Sequence, residues 1–148
     1  MEKRILVPLA DGFEMIEALS VVDVFRRGGV QVDTAALEKS LQVTSSHGVE
    51  VKADKLLEEC KDIHYDLIVL PRGIPGAERL SYSLFLAALL KRQQADNRLY
   101  GAICASPALV LDHHGLLDGK TATCHPLFSD TLEAGKLVAD KVVIDVNC

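Results

Sequence analysis

Short, uncharged apolar runs alternate along this chain with segments of helical periodicity, and that alternation constrains the fold more than any other feature. Arg4 to Leu9 reads as a strand, and Glu14 to Gly28 as a helix with Met15, Ile16, Leu19, Val22 and Phe25 on its inner stripe, ended by Gly28-Gly29. Val30 to Ala36 reads as a second strand. Leu41 to Val43 and Val49 to Lys52 form a hairpin-like excursion around Ser45-Ser46-His47-Gly48, and a short helix is expected over Asp54 to Glu59. Asp66-Leu-Ile-Val-Leu-Pro71 is the clearest central strand, with helical patterns from Pro75 to about Gln94. A strand leading into Cys104, a helix beginning near Pro107, and strands at Ala122 to Cys124 and Lys141 to Val146 complete the series. Strands alternating with helices require right-handed crossovers, hence an α/β fold with a mainly parallel sheet covered on both faces. No repeat, linker or low-complexity tract interrupts it, so residues 1–148 are expected to form one domain.

Sites in such sheets gather beyond the carboxyl ends of the strands. Three segments should meet there: Asp11 to Glu17, Pro71 to Gly76, and Cys104. Cys104 follows an apolar run and precedes Ala105-Ser106-Pro107, a cap-type residue and a helix-starting proline. A sharp strand-to-helix turn lifts a side chain out of the sheet, and its backbone N–H groups favour a thiolate there. A helix N-terminus contributes only roughly 0.3–1 kcal/mol, against about 1.36 kcal/mol per pKa unit. A reactive Cys104 therefore needs further donors or a positive neighbour. The same context also suits an inert, buried cysteine.

Composition excludes several classes. With 49% hydrophobic and 25% charged residues in 148, the chain has ordinary globular usage. A net charge of −5 opposes binding along a phosphate backbone, so nucleic acid is not an expected partner. No segment reaches the roughly 18 apolar residues of a membrane span, and Ile5 to Ala10 is too short for a signal-peptide core, so a cytoplasmic protein is expected. Cys60, Cys104, Cys124 and Cys148 show neither C-x-x-C nor a repeated spacing. Cys60 with His64, and Cys124 with His125, lack the paired spacing of a structural zinc site, so no metal is expected.

Four segments, Ala10-Asp-Gly-Phe-Glu-Met-Ile-Glu17, Val69-Leu-Pro-Arg-Gly-Ile-Pro-Gly-Ala-Glu78, Ala102-Ile-Cys-Ala-Ser-Pro107 and Thr123-Cys-His-Pro126, resemble the ThiJ/PfpI superfamily, in the branch of the parkinsonism-associated protein deglycase. They occur in family order over essentially the whole chain. The resemblance implies a flavodoxin-like three-layer sandwich and a homodimer. It implies Cys104 as nucleophile, Glu17 as its carboxyl partner, His125 as a nearby imidazole, and Gly73 and Ala105 as sources of oxyanion-binding N–H groups. Cys104 and Glu17 should then share one proton, with thiolate and neutral acid favoured. The implied chemistry is a glyoxalase or deglycase reaction on methylglyoxal or its early adducts, including glycated protein, without a cofactor; the alternative is a redox-sensing or chaperone-like stress protein using oxidation of Cys104. From the residues alone, Glu17 could equally be a solvated first-turn carboxylate, and His125 a loop histidine. His47, His64, His113 and His114 read as surface or loop residues.

Ala105 after the nucleophile, where protease-type members carry histidine, argues against peptidase activity, and Pro126-Leu127 after His125 against an amidotransferase. Two departures from the family pattern stand out. Arg72 occupies the first glycine of a Pro-Gly-Gly turn, implying either backbone strain or a guanidinium recruited to bind an anion. The sequence also stops at Cys148, where relatives continue through a turn into a C-terminal helix. A chain without that helix is expected to leave an apolar face or groove exposed.

Overall fold

The computed structural model describes residues 2–148. Its central sheet contains β1 (Arg4–Leu9), β2 (Gln31–Ala36), β5 (Lys55–Leu56), β6 (Leu67–Leu70) and β7 (Leu99–Ala102), in the order β5-β2-β1-β6-β7 with every pairing parallel. The strands are mostly apolar because both sheet faces are covered, with Asp33 and Thr34 of β2 the buried polar exceptions. Ile5, Val7 and Leu9 of β1 pack with Ala18 and Val22 of α1 (Met15–Arg27), whereas Leu6 joins Ile68 and Leu70 in the opposite core. That second core is closed by α2 (Ile74–Ser81), α3 (Leu84–Ala95) and a π-helical turn at Pro107–Asp112. The result is the expected three-layer α/β sandwich. A hairpin of β3 (Gln42–Thr44) and β4 (Glu50–Lys52) stands apart from the sheet.

The order runs outward from β1 to β2 in one direction and from β6 to β7 in the other. The reversal opens a crevice between β1 and β6 at their carboxyl ends. Three glycines let the loops there close on each other. A Cβ on Gly73, which lies at φ 105°, would overlap the Gly12 carbonyl oxygen, and one on Gly76 would approach Phe13 to 2.9 Å. The Glu14 N–H donates to the Arg72 carbonyl at 2.6 Å, joining the loop after β1 to the loop after β6.

Four local expectations are corrected. Asp54 to Glu59 is no helix: Lys55–Leu56 adds to the sheet beside β2, and only Leu57–Cys60 turns, as a 3-10 helix. The Pro75 to Gln94 pattern breaks at Tyr82, because the Ser83 hydroxyl accepts from the Leu86 N–H and starts a new helix. Ile16, placed on the inner stripe of α1, is 69% exposed; Ala18 takes the buried position. Lys141 to Val146 forms no strand. The Asp145 carboxylate accepts from the Thr121 N–H, and Val146 turns at φ 56°, while β8 (Thr121–Ala122) pairs with β9 (Lys136–Leu137).

Candidate active site

Cys104 sits in the turn between β7 and the π-helical turn with φ 65°, in the left-handed region that a non-glycine residue rarely occupies. Such a conformation costs on the order of 1–3 kcal/mol and persists where the surroundings enforce it. Two contacts do so. The Cys104 carbonyl accepts from the His125 N–H at 2.6 Å, and the Ser106 hydroxyl donates to the Pro71 carbonyl at 2.8 Å. Ser106 does not cap the following turn, as its type and place suggested; fully buried, it ties the cysteine turn to the loop after β6.

Glu17 projects from the first turn of α1, whose N-cap Glu14 accepts from the Glu17 N–H. The Glu17 carboxylate accepts from the Arg72 N–H at 3.0 Å, so its bond to the second loop runs through backbone. Arg72 has no positive φ; Gly73 carries that conformation, and the expected strain at Arg72 is absent. Its guanidinium reaches Cys104 instead, with Nη1 at 3.4 Å from Sγ, and stacks over the Phe128 ring at 5.4 Å. The Arg72 Nε is buried and has no hydrogen-bond partner.

The cysteine does not present a thiolate by itself. Burial pushes the Cys104 thiol up, the Glu17 carboxylate beside it adds to that, and Arg72 opposes both. The net direction is upward, against the thiolate expected from the sequence.

His125 is held by its backbone against Cys104, but its ring caps the 3-10 turn Pro126–Thr131: Nδ1 accepts from the Leu127 N–H at 3.2 Å. A neutral ring accepting at Nδ1 carries its proton on Nε2. No hydrogen bond joins its ring to the Cys104 thiol among the described residues. Gly73 and Ala105 are both buried, and among the described residues neither N–H has an acceptor. Glu17, Cys104 and His125 line one open cavity of about 810 Å³, shared with Thr123, Cys124 and Lys141. A depression of about 480 Å³ beside the β3–β4 hairpin, lined by residues such as Ser40 and Gln42, contains no cysteine or histidine. The remaining histidines lie elsewhere; His114 is the one half-buried, with Nε2 2.8 Å from the Ser81 carbonyl.

Residues 3–148 match the model of the DJ-1/PfpI family. The chain belongs to that family. DJ-1 homologs B and A of Arabidopsis thaliana are 47% and 43% identical over 97% of the chain, which spans only 33% and 37% of their lengths. The glutathione-independent glyoxalase DJR-1.2 of Caenorhabditis elegans is 36% identical over 95% of the chain and 74% of its own length. Among solved structures, oxidized Toxoplasma gondii DJ-1 superposes with a TM-score of 0.94 at 43% identity, covering 98% of this chain and 79% of that one. Drosophila melanogaster DJ-1beta gives 0.95 at 36%, covering 99% and 80%. The family therefore includes glyoxalases, and the flavodoxin-like fold expected from the four segments is the observed one. No helix among the described residues is long and apolar enough to cross a membrane.

What the sequence did not disclose is where Arg72 points and what Ser106 holds. Arg72 was visible as a substitution in a glycine turn; its reach to Sγ depends on Gly73 taking the positive φ.

Proposed function

We propose that this chain is a cysteine-dependent, cofactor-independent enzyme of the glyoxalase or deglycase type, acting in the cytoplasm on methylglyoxal or its early adducts. The observation that carries this reading is Cys104 held at φ 65° beside both Glu17 and Arg72, with the Gly73 and Ala105 N–H groups unpaired. The glyoxalase relative supports the substrate class.

Cys104 and Glu17 share one proton, and the reactive form carries it on Glu17. The thiolate attacks the aldehyde carbon, forming a C–S bond and an alkoxide that accepts from the Gly73 and Ala105 N–H groups and takes the Glu17 proton. Glu17, now ionised, removes the hydrogen from that carbon and returns it to the neighbouring one, while the hydroxyl proton passes from the first oxygen to the second, so the former ketone becomes the alcohol and the former aldehyde a thioester. Water cleaves the thioester, releasing lactate and the thiol. His125, with its proton on Nε2, serves as a hydrogen-bond donor in this scheme rather than as a base. The same reading includes a homodimer, supported by Ile16 and Val24, two helical turns apart on α1 and 69% and 65% exposed. Sedimentation of the parent beside Val24→Glu tests it, with a monomeric parent as the opposing result.

Incubation with methylglyoxal in the absence of glutathione should yield lactate from the parent and none above background from Cys104→Ala. Equal lactate from both proteins would overturn the assignment of Cys104. A second reading, redox sensing, is favoured by the oxidized state in which the Toxoplasma relative was solved. It predicts uptake of oxygen at Cys104 under peroxide, read as a mass increase, with no lactate formed.

A further inference from the structure

Arg72 is poorly served by the folded protein as it stands. Its Nε is buried without a partner, and Nη1 is directed at Sγ, a weak acceptor while the thiol is protonated. A buried donor left unpaired is destabilising, more so when charged, so stability gives no reason to hold a guanidinium here. Its position against the nucleophile does. The oxygens of a carboxylate on a carbon that is itself bonded to Sγ lie within about 3–4 Å of Sγ, by ordinary covalent geometry. A guanidinium nitrogen 3.4 Å from Sγ can come within hydrogen-bond reach of such an oxygen. The Phe128 ring makes a cation–π contact with the guanidinium. Cys104 lines the cavity with two carboxylates, Glu17 and Asp140, and one cation, Lys141, and Arg72 meets it from behind this lining through its contact with Sγ. Of the cations near the site, Arg72 is the one in hydrogen-bond contact with Sγ.

We propose that Arg72 is a specificity-determining residue that makes Cys104 select electrophiles carrying a carboxylate next to the reacting carbon, such as small aldehyde acids and oxo acids. The guanidinium would take the carboxylate through charge-assisted, fork-like hydrogen bonds while Sγ bonds to the adjacent carbon. This rests on the reading of Cys104 as the nucleophile.

The test uses two alkylating probes of nearly equal size, iodoacetate and iodoacetamide. In both, the thiolate displaces iodide and a C–S bond replaces the C–I bond; only one probe carries a carboxylate. Rates are followed at Cys104 by peptide mass spectrometry, and the iodoacetate-to-iodoacetamide ratio is compared with that of the same peptide in the urea-unfolded chain. In the folded parent the ratio should rise about tenfold or more over the unfolded value, fall back at high salt, return to the unfolded value in Arg72→Gln, and be partly kept in Arg72→Lys. A parent ratio equal to that of the unfolded chain overturns the proposal without any variant. Failure of Cys104 to react with either probe in the folded protein would instead overturn the nucleophile reading beneath it. Glyoxylate, which can form the hemithioacetal but has no neighbouring ketone to take up the hydrogen, should protect Cys104 from iodoacetamide in the parent at lower concentration than in Arg72→Gln. Equal protection in the two proteins would likewise count against the proposal.

Discussion

Gly73 is the residue on which the site geometry turns. Any side chain there meets the Gly12 carbonyl and comes within 2.7 Å of the Glu14 nitrogen, in a backbone conformation that only glycine adopts freely. Gly73→Ala should lower stability by at least about 1–3 kcal/mol, seen as a lower urea midpoint, and should also slow alkylation of Cys104 because Arg72 shifts with the loop. An unchanged midpoint would show that the two loops can part without cost. At this scale the sequence was partly legible. Cys104, Glu17 and His125 were found because their segments carry motif order, and the structure brings all three to one cavity. The ring role of His125, capping its own turn, was open in the sequence because a histidine before a proline can turn either way. The direction of Arg72 and the tether from Ser106 to Pro71 were hidden, since each depends on a partner about thirty-five residues away or on a neighbour's φ.

Helices and strands were legible where the apolar period was strong and misread where a single polar contact decides. The break between α2 and α3 depends on one hydroxyl. Ser83→Ala removes the acceptor of the Leu86 N–H and should destabilise by about 1 kcal/mol, measured as a shift in urea midpoint with unchanged slope; no shift would mean that packing alone ends α2. The tail shows the converse. Val142, Val143, Ile144 and Val146 have the composition of a strand, yet the tail is fixed by the side chains of Asp145 and Asn147, which bond to backbone elsewhere. Asn147 accepts from the Tyr100 N–H through its carbonyl and donates its Nδ2 to the Arg98 carbonyl, so one residue touches the edge of β7 without laying a strand along it. Alternation in sequence cannot reveal whether a partner edge is available.

Across the whole molecule, the sheet is pinned at the opposite side of the fold by one buried carboxylate. Asp33 of β2, 5% exposed, receives the Arg4 Nε of β1 at 2.8 Å, the Tyr65 hydroxyl at 2.8 Å and the Lys55 Nζ of β5 at 3.1 Å. Burial pushes the Asp33 carboxyl up, but the hydrogen bonds from Arg4, Tyr65 and Lys55 outweigh it and hold it below its ordinary value. With the folded value below the unfolded one, near 3.9, this contribution is complete above the unfolded value and is lost as pH falls through the folded one. Thermal melts should therefore show a steep loss of stability below about pH 4, and Asp33→Asn should flatten that slope while lowering stability at neutral pH. Identical slopes would remove Asp33 as the source. The acid-sensitive pin and the reactive crevice belong to different ends of the same strands, and the crevice has its own division of labour. Arg72 holds the Glu17 carboxylate with its backbone N–H and meets Cys104 with its side chain. Every residue except proline would keep the first bond; only the second depends on what residue 72 is. On the proposed reading, a change of residue 72 would alter which reagents Cys104 accepts while leaving the carboxylate where it is, a dial mounted beside the engine and turned without dismantling it.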